Sequence, residues 1–221
     1  MNVDIISEFI KEYTKFFNEI KKKNNSDINT SLELCMTNLT SLKNNLLNKN
    51  ENSISNNLLS ITNSFIEATN HIINLKYSKF FLQILLLIKK FIEYNLFSKE
   101  KSKEIIIILK SFYNNSKITE EYQKKIMEII QTYIFSEYFE INFDTLSIIY
   151  ILALKEFNSI NKSKNKDYKN PIRLLFTTLT DKIYKSKNNN IIIQITHLIF
   201  GFFVLVQAKN KICNMILLMK K

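Results

Sequence analysis

Glycine and proline are almost absent from this chain: Gly201 and Pro171 are the only examples among 221 residues. Average proteins use both far more often, because many turns and nucleotide-binding loops need the backbone angles that these residues supply. Their scarcity favours helices joined by turns that need no special backbone angles, and it argues against a β-sandwich. It also excludes the P-loop and the GxGxxG motif, which need more than one glycine.

The most apolar part of the chain runs from Tyr77 to Tyr150, where hydrophobic blocks recur at the helical period. Short polar segments with helix-start residues separate these blocks. The predicted fourth helix, over 76–96, is apolar nearly all round over its first half, so we expect other helices to cover it on more than one side. The run Ile105–Leu109 could also form a buried strand, but the chain offers no comparable strand to satisfy its backbone. We therefore expect a helix there.

The first predicted helix, over 3–22, has an apolar stripe and a charged outer face. The stripe residues recur at intervals of three and four: Ile6, Phe9, Ile10, Tyr13, Phe16, Phe17 and Ile20. The second helix follows a capping segment at 24–27 and carries a near-heptad repeat: Ile28, Leu32, Cys35, Leu39, Leu42 and Leu46. Together, these two patterns and the short capping segment between them predict an antiparallel helix hairpin over 1–48.

We expect partner contacts to come from helix ends and from this more polar hairpin, because the apolar helices are occupied with packing. The residues that we predict to bind a partner are charged, and they lie outside the stripe of the first helix or at its end: Glu8, Lys11, Glu12, Lys15 and Lys22.

Helix-start signals divide the rest of the chain. A polar loop is predicted over 48–57 and a helix over 58–73, and later helices are expected to start near Ser98, Thr119, Asn142 or Asp144, and Asn170. Eight or nine antiparallel helices with short turns predict an all-α, armadillo/HEAT-like stack. We expect one helical-repeat domain over 1–187, made of the hairpin 1–48 and a stack over 58–187. A further apolar helical segment over 188–221 would open a next region.

The chain is basic, with 31 Lys and Arg against 20 Asp and Glu and a net charge of +11. Nearly all of the positive charge is lysine, which is typical of a solvated surface or of diffuse contact with an anionic membrane. No arginine-rich cluster is present, so nucleic acid is a less favoured partner. Cys35 and Cys213 lie far apart without disulfide or metal spacing, which indicates a reducing, cytoplasmic compartment.

An uncharged run extends from Ile191 to Ala208 and reaches the lower length limit of a membrane span. Gln194, Thr196 and His197 interrupt it and would lose their hydration in lipid. Both a buried core helix and a tail anchor remain open. The first residues lack a basic segment followed by an apolar run, so no signal peptide is expected.

The sequence offers no arrangement typical of an active site. Glu120 and Glu121 fit the N-terminal dipole of a helix better than acid–base catalysis. His71 and His197 have no Ser or Asp partners in a shared context and no clustered metal ligands. We therefore expect a protein that is not an enzyme and that has no catalytic residue, no metal and no cofactor.

The order of segments between residues 58 and 184 is distinctive. After a first helix hairpin come Ser78–Ile88, the linker Tyr94–Ser98 leading into Glu104–Leu109, Glu121–Tyr133, Asp144–Leu154, and a capped helix from Asn170 to Tyr184. This order resembles the N-terminal dimerisation and cyclophilin-binding (DCB) region of the large Arf guanine-nucleotide exchange factors and of the related Mon-two scaffold. In that family the last helix typically carries alanines and an Arg-Gln pair, where this chain has Ile172, Leu174, Thr177 and Thr178.

The resemblance implies a scaffold region that sits peripherally at Golgi or trans-Golgi membranes and acts in vesicle-mediated protein transport. It also implies self-association and binding of small GTPases of the Arf/Arl group. Exchange activity would lie in a separate domain that this chain does not contain. Two alternatives remain beside it: an unrelated armadillo-like adaptor, and a tail-anchored membrane protein with a helical domain in the cytosol.

Overall fold

The computed structural model describes residues 2–50, 53–115, 117–162, 169–199 and 201, and the side chains of 157–162 and 169–173 lie outside that description. These residues contain no strand, and their helices pack in the predicted all-α, armadillo-like stack. The chain divides into two compact units, Met1–Phe139 and Glu140–Lys221. The expected boundary at 187 falls inside the second unit, and the single domain over 1–187 stays a prediction.

The described residues of the first unit form six α-helices, and short 3₁₀ turns lead into two of them. The helices are α1 (Val3–Lys21), α2 (Ser26–Leu47), α3 (Ile54–Asn74), α4 (Phe81–Glu93), α5 (Ser102–Tyr113) and α6 (Glu120–Phe135). The 3₁₀ turns are Ser78–Phe80 before α4 and Lys99–Lys101 before α5. Asn25 caps α2 by accepting a hydrogen bond from the backbone N–H of Ile28 at 3.0 Å. The hairpin of α1 and α2 and the helix over Ile105–Leu109 are as predicted.

Helix α4 lies at the centre of this unit because its aromatic side chains meet those of several neighbours. The Phe91 ring is stacked on Phe65 of α3, with centroids 4.3 Å apart. It also makes edge-to-face contact with Phe9 of α1 at 4.9 Å. At the N-terminus of α4, Phe81 packs edge-to-face on Phe112 of α5 at 5.2 Å. Helix α6 covers a further side of α4. The all-round apolar pattern of α4 is thus explained by packing on four helices.

Several helix ends differ from the predicted ones. Helix α3 begins at Ile54 rather than at residue 58, because polar side chains on its exposed face do not interrupt a helix that lacks glycine and proline. Helix α4 is shorter than the predicted 76–96, since a 3₁₀ turn leads into it and it ends at Glu93. Helix α7 extends through Lys162 into the predicted loop over 158–169.

The expectation that the turns need no special backbone angles is wrong. Among the described residues, five that are not glycine have a positive φ, between 51° and 56°: Asn24, Lys49, Lys76, Asn95 and Lys187. After α4, the N–H of Asn95 donates to the Ile92 carbonyl and the N–H of Leu96 donates to the Phe91 carbonyl, which is the Schellman pattern. Asparagine and lysine therefore occupy helix-ending positions where most proteins place glycine.

Two of the predicted N-caps do not use their side chains as caps. Ser98 precedes the 3₁₀ turn before α5, and Thr119 precedes α6, but neither hydroxyl accepts a capping hydrogen bond. Instead, the backbone N–H of Ser98 donates to Oγ1 of Thr62 in α3 at 2.8 Å. The predicted Asn142 cap is present, because its Oδ1 accepts from the N–H of Thr145 at 2.9 Å.

The second unit contains α7 (Phe143–Lys162), α8 (Lys169–Lys185) and a helical segment, α9, over 189–199. Helix α8 begins one residue before the predicted cap at Asn170, a difference within the usual uncertainty of helix ends. Helices α7 and α8 pack together, and the rings of Tyr150 and Phe176 lie 5.6 Å apart. Burial raises the pKa of Tyr150, while a hydrogen bond with Thr180 lowers it to a lesser degree.

Helix α9 covers the described part of the uncharged run 191–208. Ile191 and Ile195 are buried, whereas Gln194, Thr196 and His197 are exposed. Within the described part of the chain, no helix is both long and apolar enough to cross a bilayer. Residues 200 and 202–208 of the run lie outside it, so the membrane-anchor alternative stays a hypothesis.

Candidate functional site

The outer face of α1 carries four of the five residues that we predicted to bind a partner. Glu8, Lys11, Glu12 and Lys15 follow the spacing i, i+3, i+4, i+7, which places them on one side of a helix. Burial of the opposite side fixes that orientation, since Ile6, Phe9, Tyr13, Phe16, Phe17 and Ile20 are all in the core. Glu8, Lys11 and Lys15 are exposed and Glu12 is half-buried. We call these four residues the outer face of α1.

A groove of about 380 Å³ runs between α1 and α4 beside this face. The nearly buried side chains of Phe16 and Leu87 contribute its apolar surface, and Leu86 is 41% exposed to it. The polar lining comes from both helices: Glu12, Lys15 and Glu19 of α1, with Gln83 and Lys90 of α4. We call this feature the α1–α4 groove.

Two polar contacts join α1 to α4 along the groove. Nζ of Lys90 donates to both carboxylate oxygens of Glu12. This hydrogen bonding raises the pKa of Lys90, and the negative charge of Glu8 adds to the effect. Farther along, Nε2 of Gln83 donates to Oε2 of Glu19 at 2.8 Å. Both α4 side chains are thereby held against the groove by carboxylates of α1.

The structure brings only part of the predicted site into the groove. Glu12 and Lys15 line it, and Glu8 lies close enough to influence Lys90 electrostatically. Lys11 is exposed on the outer face, while Lys22 is exposed at the C-cap of α1 and does not line the groove.

Sequence reasoning missed the α4 side of the groove, because α4 was expected to be occupied entirely with packing. A signal was present: Gln83, Lys89 and Lys90 are the only polar residues between Phe80 and Ile92. Two of those three polar side chains reach the groove. The exposed Leu86 carries no comparable signal, since it lies within a continuous apolar run.

The arrangement of the groove is suited to binding an apolar group. The apolar floor of the groove can accept an apolar side chain of a protein partner. The charged residues at the edge of the groove can then pair with charges that flank that side chain in the partner.

Cys35 is fully buried between α1 and α3, and burial raises the pKa of its thiol to about 12. The thiol is therefore neutral at physiological pH and a poor nucleophile.

The described residues around His71 do not form a metal site. A shallow cavity of about 440 Å³ beside it is lined mainly by polar side chains, among them Glu67 and Glu104. Within the described ranges, no group of three or more His, Cys, Asp and Glu residues is arranged to hold a metal ion.

No protein-family model matches the sequence, and no curated protein or solved structure shows significant similarity to it.

Proposed function

We propose that this chain is a non-catalytic helical scaffold that binds protein partners through the outer face of α1 and the α1–α4 groove. The observation that carries the proposal is the pairing of an exposed leucine, Leu86, with a charged rim on a helix whose other side is firmly packed. A rigid helical framework with such a groove is typical of surfaces that receive a partner's helix or loop.

The partners that we propose are a small GTPase of the Arf/Arl group and a second copy of the chain, at the cytoplasmic side of Golgi or trans-Golgi membranes. Support comes from the resemblance of the sequence between residues 58 and 184 to the DCB region. The segments that carry this resemblance correspond to α4–α8 and to the linker Tyr94–Ser98 between α4 and the 3₁₀ turn before α5. The net charge of +11 favours peripheral contact with anionic lipid.

Capture of purified GTPases tests the proposal. Immobilised chain should retain an Arf or Arl protein loaded with a non-hydrolysable GTP analogue better than the GDP-loaded form. Leu86→Asp should reduce retention by about tenfold or more, because it places a charge in the apolar part of the groove. Leu34→Asp is the matched control, since Leu34 is 51% exposed on α2 and does not line the groove.

Retention of neither nucleotide form, or equal loss with both substitutions, would exclude the groove as a GTPase site. Binding of an unrelated adaptor-type partner through Leu86 would support the armadillo-like adaptor alternative instead.

A membrane-anchored protein is the second candidate, and the uncharged run from Ile191 to Ala208 is the observation that favours it. Carbonate extraction of membranes from expressing cells separates the two candidates. A peripheral scaffold is released by carbonate, whereas a protein with a membrane span stays in the pellet.

A further inference from the structure

Two adjoining cavities flank the linker Tyr94–Ser98 in the first unit. The first cavity, of about 390 Å³, extends from the linker to the beginning of α3, where Leu58 lines it. The second has about the same volume of 390 Å³ and lies between the C-terminal ends of α4 and α6, where Phe135 lines it. Asn95 and Glu137 line both cavities. We call the two cavities together the linker surface.

The first cavity has an apolar floor and one unused hydrogen-bond donor. Phe97 and Tyr138 line it and are almost fully buried, and Leu58 is half-buried beside them. The hydroxyl oxygen of Tyr138 accepts from the backbone N–H of Phe97 at 3.2 Å, but no described residue accepts the hydroxyl proton. Because a buried donor without an acceptor is costly, an occupant with a carbonyl oxygen would be stabilised here.

Acidic groups dominate the linker surface, although the chain as a whole has a net charge of +11. Among the described residues, the charged lining consists of three glutamates, Glu93, Glu100 and Glu137, and one lysine, Lys99. Glu100 has no ion-pair partner within the described ranges. The second cavity also receives the C-terminal ends of α4 and α6, which carry the negative ends of their helix dipoles. The linker surface therefore attracts cations.

Two lysines of the chain already lie near these carboxylates, but they hold them weakly. Nζ of Lys99 lies 2.7 Å from a carboxylate oxygen of Glu137, and Nζ of Lys89 lies 3.5 Å from one of Glu93. All four side chains are at least one-third exposed or close to it. Exposed pairs of this kind contribute little free energy, so a cation of a partner can replace either lysine at small cost.

We propose that the linker surface binds a basic segment of a partner protein that carries one large apolar side chain. The apolar side chain occupies the first cavity against Leu58 and Phe97, and a carbonyl oxygen of the same segment accepts from the hydroxyl of Tyr138. A lysine or arginine on one side of it meets Glu100, and another enters the acidic second cavity. There its aliphatic part packs on Phe135, which is 63% exposed.

The linker surface and the α1–α4 groove share no lining residue. The inference therefore goes beyond the proposed function and does not depend on it. The acidic lining repels anionic lipid and nucleic acid, which the net charge of the chain attracts elsewhere. A basic protein segment is thus the occupant that fits both the charge and the apolar floor.

Fluorescence anisotropy of the full chain with a labelled peptide tests the inference. The peptide has a central phenylalanine between two pairs of lysines, and the fluorophore is attached at one end. We expect a dissociation constant on the order of 100 µM at low salt, since a short peptide makes few contacts. Serine in place of the phenylalanine should weaken binding by about tenfold, because the first cavity is then left unfilled. Glutamates in place of the lysines should abolish binding.

Two substitutions at exposed positions locate the binding site. Glu100→Lys should weaken binding of the phenylalanine peptide by about fivefold or more, because it reverses the charge beside the first cavity. The charge-matched control is Glu67→Lys, at an exposed position of α3 that lines neither cavity, and it should stay within about twofold. Phe135→Ser should weaken binding by about threefold, whereas Leu34→Ser on α2 should leave it unchanged.

The phenylalanine peptide binding nowhere on the chain would overturn the inference, and so would equal losses with Glu100→Lys and Glu67→Lys. Equal affinity for the serine and phenylalanine peptides would also overturn it, because only diffuse charge attraction would then remain. Sedimentation equilibrium adds a further check on the occupant. If Glu100→Lys abolished self-association of a chain that does not bind the peptide, the linker surface would be a contact between copies, and the inference would be wrong.

Discussion

Polar groups on the inner side of α1 are buried and hydrogen-bonded, whereas several charges on its outer side are exposed and unpaired among the described residues. On the inner side, the hydroxyl of Tyr13 donates to the Leu32 carbonyl at 3.4 Å, and the hydroxyl of Ser64 in α3 donates to the Ser60 carbonyl at 2.8 Å. Tyr13, Leu32 and Ser64 are all buried. On the outer side, Glu8 and Lys15 are exposed, with no ion-pair partner among the described residues.

The difference shows which polar residues serve the fold and which are available for binding. A buried polar group is costly unless it has an internal partner, so the inner groups are fixed by packing. An exposed charge is hydrated and carries no such requirement. We therefore expect substitutions on the inner side to change stability, and substitutions on the outer side to change association.

The largest effect is expected for Phe91→Ala, at the centre of the inner aromatic cluster. Its ring contacts those of Phe9, Phe65 and Phe97, and none of its surface is exposed. Removing it leaves a cavity among three helices and should lower the free energy of unfolding by about 3–5 kcal/mol. Urea denaturation measures the change. Phe91→Leu should lose less than half as much, and equal losses would contradict this account of the packing.

Thr62→Val tests a buried backbone contact. Thr62 accepts a hydrogen bond from the N–H of Ser98, and valine has nearly the same shape but no acceptor. The orphaned N–H should lower the free energy of unfolding by about 1–3 kcal/mol. Thr40→Val on the exposed side of α2 is the control, with an expected change below about 0.5 kcal/mol. An equal change at both positions would show that Thr62 does not anchor the linker.

Cys35 should make stability fall at alkaline pH. Burial raises the pKa of its thiol from 9.0 to about 12 in the folded chain. Above about pH 9 the unfolded chain releases this proton and the folded chain does not, so stability is full below about pH 9 and is lost as the pH rises toward 12. Between about pH 8 and pH 10, the free energy of unfolding should fall by about 1.4 kcal/mol more than in Cys35→Ala. Parallel pH dependences in urea titrations of the two proteins would contradict the burial effect.

The smallest stability effect is expected on the outer side. Glu8→Lys should change the free energy of unfolding of the monomer by less than about 0.5 kcal/mol, because Glu8 is exposed. Urea denaturation measures the change. A larger loss would mean that Glu8 supports the fold.

The sequence predicted the helices and the apolar stripe of α1 because both depend on local periodicity. Six of the seven predicted stripe residues are in the core, and the seventh, Ile10, is half-buried. Helix ends were less predictable, since Lys76 and Asn95 adopt the left-handed conformation that sequence reasoning assigns to glycine.

The groove could be predicted only in part. Glu12 and Lys15 were recognisable as outward residues of α1 from periodicity alone. Their closeness to Gln83, Leu86 and Lys90 depends on a tertiary contact between helices that are more than sixty residues apart in the chain. No local pattern specifies which side of an all-round apolar helix remains accessible.

The contrast between the two sides of α1 is tested most directly by urea denaturation of two variants at adjacent positions, Phe9→Ala and Glu8→Lys. Phe9 has no exposed surface and its ring packs on Phe91, so its removal should lower the free energy of unfolding by about 3–5 kcal/mol. Glu8 is exposed, so Glu8→Lys should change it by less than about 0.5 kcal/mol. Similar losses in the two variants would contradict the division of α1 into a side that serves the fold and a side that is available for binding.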